Sequence, residues 1–131
     1  MKTILIVDDI FMNRLLLKEI AKKMNLHSLE APNGKEALDI LRREEVDVVL
    51  MDIEMPVMNG IETTQYIRQR MPQPKRGVPV VAITAHNPSE FMEHYHSIGF
   101  TQLMSKPYTI DKMMQVLSEI DNQAGLTSNS Q

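Results

Sequence analysis

Four consecutive apolar residues, Val48-Val49-Leu50-Met51, run directly into an aspartate, Asp52, and then into a turn-forming segment that ends Pro56-Val57-Met58-Asn59-Gly60. A run this short, bounded by turn formers, suits a strand buried on both faces of a parallel sheet, and such sheets place their ligand sites just beyond the carboxyl ends of the strands. Asp52 falls at such an end, where a charge contributes nothing to packing. The first strand-like run, Thr3 to Val7, ends the same way, in the pair Asp8 and Asp9. Two strand ends thus deliver three carboxylates. At an effective dielectric of ~20, two like charges ~4 Å apart repel by about 4 kcal/mol, so the cluster requires a cation, a shared proton or separation by solvent. Among cations, Mg²⁺ is the one expected.

Composition narrows the function classes. A chain of 131 residues is most economically one domain, long enough to bury roughly two-thirds of its unfolded surface. Fourteen Lys and Arg against seventeen Asp and Glu, net charge -3, give no general field to attract nucleic acid. The absence of cysteine removes disulfides, thiolate metal sites and a thiol nucleophile. Met1-Lys2 leads straight into a five-residue apolar strand followed by acid, too short for a signal sequence or a membrane span, so a cytoplasmic location without membrane contact is expected.

Along the chain, short apolar runs alternate with segments of helical period, the signature of repeated βα units. After the first strand, Leu17, Ile20, Ala21 and Met24 form a stripe on a helix from about Asn13 to Met24, with Asn25 as its stop. A second strand is expected around His27 to Glu30. Asn33, with Glu36 three residues on, has the pattern of a capping box for a helix that buries Ala37, Leu38 and Leu41. The third strand is read as Val46 to Met51, followed by a helix containing Ile61, Thr64 and Ile67. Three prolines and a glycine between Met71 and Pro79 make that stretch a connector. Val80 to Ile83, ending at Thr84, is the fourth strand; Pro88 starts a helix with Phe91, Met92 and Tyr95 on its apolar side and Gly99 at its end. Thr101 to Met104 is the fifth strand. Thr109 then caps a last helix that buries Met113, Val116, Leu117 and Ile120, and a polar, frayed tail is expected over 123–131, beyond a domain spanning 1–122.

Strict alternation of five strands and five helices gives an α/β fold, a doubly wound (βα)5 sheet, of which the flavodoxin-like strand order 2-1-3-4-5 is a common form. In that order strands one and three are neighbours. Asp8 and Asp9 then meet Asp52 at one crevice, flanked by Thr84 and Lys106 at the ends of strands four and five. His86, His94 and His96 read as surface histidines: residues two apart on a helix point about 200° apart, so His94 and His96 cannot chelate together from one face. The eleven methionines read as gap-filling core and loop packing.

Several segments together resemble the receiver domain of response regulators, the phosphoacceptor unit of two-component signalling. They are Ile6-Val7-Asp8-Asp9, Asn13-Arg14, Ala31-Pro32-Asn33-Gly34-Lys35-Glu36-Ala37-Leu38, Met51 through Gly60, Ala82-Ile83-Thr84-Ala85 and Ser105-Lys106-Pro107. The likeness covers about residues 3 to 121 and is greatest to receivers attached to hybrid histidine kinases. It implies that Asp52 accepts a phosphoryl group from a phosphohistidine, that Asp8, Asp9, Asp52 and the main-chain carbonyl of Glu54 hold Mg²⁺, and that the Thr84 hydroxyl and Lys106 ammonium bind the transferring group. A cis Lys106–Pro107 bond is also implied. Such a domain catalyses only its own phosphorylation and dephosphorylation and is not otherwise an enzyme. Its partners are a sensor histidine kinase or histidine phosphotransfer protein and a downstream protein target. Docking is expected at Phe11, Leu15, Pro107 and Tyr108, with Arg14, Lys18 and Lys22 as a basic stripe on the first helix.

Three other readings use the same residues. A nucleotide-binding enzyme needs a glycine-rich phosphate loop, and none follows the first strand. An aspartyl-phosphate hydrolase also uses an aspartate and Mg²⁺, but nothing in the chain resembles a substrate cap. A pseudo-receiver usually lacks an acidic or phosphoacceptor residue, and none is missing. One departure from the receiver pattern stands three residues before Lys106: the aromatic switch residue common there is Leu103, which leaves open how a signal leaves the domain.

Overall fold

The computed structural model describes the backbone of residues 1–85 and 89–129. In chain order the elements are β1 (Thr3–Val7), α1 (Phe11–Lys23), β2 (His27–Ala31), α2 (Gly34–Arg43), β3 (Val48–Asp52), α3 (Gly60–Arg70), β4 (Val80–Thr84), α4 (Ser89–Ile98), β5 (Gln102–Ser105) and α5 (Ile110–Asn129), with a 3-10 turn over Lys75–Gly77 in the proline-rich connector. The five strands form one parallel sheet of order β2-β1-β3-β4-β5, the flavodoxin-like arrangement. The expected start of the fourth helix at Pro88, His86, and the side chains of Phe91 and Met92 lie outside the described residues.

The sheet is buried on both faces, and the side-chain alternation of its strands divides the core in two. Ile4 and Ile6 of β1, Val48 and Leu50 of β3, and Val81 and Ile83 of β4 point to one side, where Leu17, Ile20 and Ala21 of α1 meet Met113, Val116, Leu117 and Ile120 of α5. Leu5, Val7, Val49, Met51, Val80 and Ala82 point to the other, against Ala37, Leu38 and Leu41 of α2, Ile67 of α3 and Phe100. This is why β3, β4 and, after the partly exposed Thr3, β1 read as apolar runs: their other positions are buried.

Several element ends differ from the sequence expectation, each for a local reason. α1 begins at Phe11 rather than near Asn13, because the Asp8 carboxylate accepts the Ile10 backbone N–H at 2.9 Å and the Ile10 carbonyl already accepts from Asn13 and Arg14. Asn25 adopts a left-handed conformation (φ 58°) and ends that helix as expected. β3 starts at Val48, not Val46; the preceding Asp47 turns its carboxylate onto the backbone N–H groups of Lys2 and Thr3, both at 2.8 Å, and so clamps β1 to the start of β3. Asn33 caps α2 through the Glu36 N–H, but the full reciprocal capping box belongs to α3, where Asn59 and Glu62 bond each other's backbone. Thr109 caps α5 through the Lys112 N–H. α5 is helical through Asn129, past residue 122 where a frayed tail is expected to begin; no proline interrupts the segment, and extending a nucleated helix fixes one residue per added hydrogen bond.

Gly60 fixes the geometry of the loop after β3. Its N–H donates to the Ile53 carbonyl at 3.2 Å, and a methyl group added at its Cα would lie 2.4 Å from the Asp52 carbonyl oxygen and 2.8 Å from the Ile53 Cα. Only glycine permits that approach of backbone to backbone. Gly60→Ala is expected to lower stability by roughly 1–3 kcal/mol through overpacking, read as a lowered midpoint in urea; an unchanged midpoint would show that the loop relaxes freely.

Candidate functional site

The register of the sheet assembles the site. Val7 pairs with Met51 and Asp52 with Ile83, so the residue after β1, Asp8, sits beside the last residue of β3, while Thr84 ends β4 opposite Ser105 of β5. Oxygens of Asp8, Asp9 and Asp52 lie within 4.8 Å of one another. Asp8 and Asp52 are buried, at 0% and 3% exposure, and Asp9 is exposed. The sequence-predicted trio is thus brought together, and it is the one group of possible metal ligands found among the described residues.

Each buried carboxylate is held at both oxygens. Asp8 Oδ1 accepts from the Ile10 N–H at 2.9 Å and Oδ2 from the Tyr108 hydroxyl at 3.2 Å. Asp52 Oδ1 accepts from the Glu54 N–H at 3.1 Å, and Oδ2 faces the Lys106 ammonium at 3.4 Å. Burial, with repulsion from Asp8 added, pushes the Asp52 carboxyl above the usual carboxylate range, against the pull of the Glu54 N–H and Lys106. The buried Thr84 gives its carbonyl to the Lys106 N–H at 2.9 Å, which ties the ends of β4 and β5 together, and the Lys106–Pro107 peptide is cis. Three clustered carboxylates, two of them buried beside each other, supply the hard oxygen ligands that Mg²⁺ takes, so the residues present fit that ion.

The residues expected at a docking surface divide. Phe11 and Leu15 are 61% and 38% exposed, and Pro107 is exposed, so these three do lie on the surface beside the cluster. Arg14 is not a solvated charge: its guanidinium donates to the Asp8 carbonyl at 2.7 Å and to Glu30 at 3.1 Å, and Lys18 pairs with the same Glu30 at 2.9 Å. The two bases hold the Glu30 carboxyl below its ordinary range. Tyr108 differs most from expectation. It is half-buried, packs against the core between the sheet, α1 and α5, and turns its hydroxyl inward to Asp8. Burial and the nearby carboxylates push its phenol up, so it remains a donor. No sequence periodicity links positions 100 residues apart, and the signal that could have found Tyr108 was only its place two residues after Lys106. Leu103 is partly buried against the other half of the core, in register with Ala82.

Residues 4–118 match the family described as the Response regulator receiver domain. Sporulation initiation phosphotransferase F of Bacillus subtilis is 34% identical over 116 residues, which span 88% of this chain and 90% of that protein. The Autoinducer 1 sensor kinase/phosphatase LuxN of Vibrio campbellii is 33% identical and the Sensor histidine kinase RcsC of Escherichia coli 35% identical, each over 115 residues, but the chain spans only 13% and 12% of those longer proteins. Among solved structures, the chemotaxis protein CheY4 of Vibrio cholerae superposes with a TM-score of 0.83 at 25% identity, covering 92% of this chain and 98% of that one. The receiver domain of the sensor histidine kinase PA1611 of Pseudomonas aeruginosa, 24% identical with a TM-score of 0.80 over 90% of this chain and 95% of its own, has a magnesium ion coordinated in its active-site cleft.

A raised folded-state pKa has a definite sign for stability. Asp52 contributes stability below the unfolded carboxyl value of 3.8, and that contribution is lost as pH rises through the higher folded value, leaving an ionised, buried carboxylate as a cost at neutrality. In a divalent-free buffer, Asp52→Asn is therefore expected to raise the thermal midpoint at pH 7. The gain should shrink toward pH 4. A midpoint that falls, or a gain that grows in acid, would contradict the assigned shift.

Proposed function

Because the chain belongs to the response regulator receiver domain family, we propose that Asp52 is the residue on which it accepts a phosphoryl group from a phosphohistidine. The observation that carries this is the setting of Asp52: a buried carboxylate held between the Glu54 N–H and the Lys106 ammonium, facing Asp8 and Asp9 at the open end of the sheet. An Asp52 oxygen attacks phosphorus and forms an acyl phosphate; the P–N bond of the donor breaks, its electron pair stays on the imidazole nitrogen, and that nitrogen takes up a proton. Asp8, Asp9, Asp52 and the Glu54 carbonyl would hold a Mg²⁺ ion, which would supply positive charge to the transferring group; the receiver of the Pseudomonas kinase, with magnesium in its cleft, supports this reading. Lys106 brings a second positive charge from the adjacent strand end, and the Thr84 hydroxyl provides a neutral donor to the same oxygens.

The chain is a receiver of signalling proteins rather than an enzyme acting on an external substrate. We take residues 1–122 as the receiver unit, in the cytoplasm, with a histidine kinase or histidine phosphotransfer protein as donor; among the described residues no helix is long and apolar enough to cross a membrane. The surface offered to the donor is apolar: Ile10, Phe11, Met12, Leu15 and Leu16 are all exposed at the start of α1, and Pro107 is exposed across the cluster from them. With leucine at position 103 there is no ring to swing inward, which favours a role as phosphoryl relay or regulator in cis over a switch with a large change at the α4–β5–α5 face.

Incubation with Mg²⁺ and acetyl phosphate is expected to add one phosphoryl mass, and Asp52→Asn to abolish it; labelling of that variant at the wild-type rate would refute the assignment. Docking is tested separately. Phe11→Glu with Leu15→Glu should slow transfer from a phosphohistidine protein by at least about tenfold, the loss of roughly 1.4 kcal/mol of interface, while leaving acetyl phosphate labelling intact. Equal slowing of both reactions would mean that the substitutions damage the acidic cluster. Arg14 is unsuited to this test, since its guanidinium supports the Asp8 carbonyl.

A further inference from the structure

Tyr108 approaches the acidic cluster from the loop after β5, and its hydroxyl donates to Asp8 Oδ2 at 3.2 Å. Asp8 Oδ1 is already taken by the Ile10 N–H, so the phenol is the only donor recorded on the second oxygen among the described residues. Its ring packs against the half of the core that holds Leu17, Met104 and Met113, which leaves the hydroxyl little freedom to turn elsewhere. Burial first, and then the charges of Asp8 and Asp52, resist its ionisation.

We propose that Tyr108 is a positioning residue that sets the divalent-cation affinity of the cluster by competing for the charge of Asp8. The inference rests on the reading of Asp8, Asp9 and Asp52 as the cation site. A hydrogen bond to a carboxylate is strong in proportion to the negative charge on the accepting oxygen. A dication on the same carboxylate draws on that charge, so the phenol bond is worth less to the cation-loaded protein than to the cation-free one. Only such a difference between two states changes an affinity. The hydroxyl therefore lowers affinity for Mg²⁺ while it relieves the repulsion between Asp8 and Asp52 in the cation-free protein. This is opposite in sign to the usual outer-shell partner, whose loss weakens metal binding.

The test compares the full chain with Tyr108→Phe, which keeps the packed ring and removes the hydroxyl alone. Titration calorimetry with MgCl2 is expected to give a dissociation constant roughly three- to tenfold lower for Tyr108→Phe, the range open to part of a hydrogen bond to a charged acceptor. The thermal midpoint in EDTA should fall, and the midpoint gain on adding MgCl2 should grow. A dissociation constant that rises would make Tyr108 an orienting partner, and one that stays the same while the EDTA midpoint falls would make it purely structural; either result overturns the proposal. In the wild-type protein, MgCl2 should shift the ring resonances of Tyr108 more than those of Tyr66 and Tyr95, and equal shifts would also overturn it. A wild-type protein that binds no Mg²⁺ would instead overturn the cation site itself.

Discussion

Two carboxylates buried side by side at neighbouring strand ends are the constraint on which the upper half of this molecule depends. Asp8 and Asp52 have almost no exposure, and their repulsion at such range is of the order of several kcal/mol. The sheet register leaves them no way apart. Relief comes from four donors: Ile10 from the loop after β1, Glu54 from the loop after β3, and both Lys106 and Tyr108 from the loop after β5. One electrostatic problem thus fixes the conformation of three loops, and those loops form the surface that a phosphodonor must reach.

With Asp52 proposed as the phosphoacceptor, the same arrangement would account for its chemical competence. A carboxylate fully neutralised by direct ion pairing would be a poor nucleophile, while one buried without donors would protonate. Asp52 lies between these limits, with its carboxyl raised by burial yet held by one N–H and by an ammonium 3.4 Å away. Arg14 extends the support outward: it grips the Asp8 carbonyl and Glu30 together, so that the base of α1, the end of β1 and the end of β2 move as one. A residue that reads in sequence as a surface charge is part of the frame.

Much of this was legible in the chain. Apolar runs ending in acid located β1 and β3, their continuity implied a sheet covered on both faces, and the order of elements implied which strands adjoin. Asp8, Asp9, Asp52, Thr84 and Lys106 needed only the rule that such sheets work at their carboxyl ends. What stayed hidden depends on contacts without period or local pattern. The Tyr108–Asp8 bond spans 100 residues, and the Arg14–Glu30–Lys18 group requires knowing that α1 lies against β2. The Asn59–Glu62 capping box has a sequence signature of its own, a cap residue with Glu three positions on, directly after the Pro56–Gly60 turn. Val57 could not have been anticipated at all: a β-branched residue with φ of 68°, 78% exposed, in the turn where Met58 N–H meets the Pro56 carbonyl. That conformation costs of the order of 1–3 kcal/mol.

The loop after β5 also joins the acidic cluster to the far side of the molecule. Lys112, in the first turn of α5, donates to the carbonyls of Ser105 at 3.3 Å and Pro107 at 3.1 Å, which flank Lys106. Lys106 reaches Asp52 and Tyr108 reaches Asp8, so a change of charge at either carboxylate bears on a segment that is anchored directly to α5. The Leu103 side chain packs against the other half of the core, to which no described residue of α5 contributes. A displacement of the loop would therefore reach the first turn of α5 through the Lys112 hydrogen bonds to Ser105 and Pro107, which do not involve the Leu103 side chain.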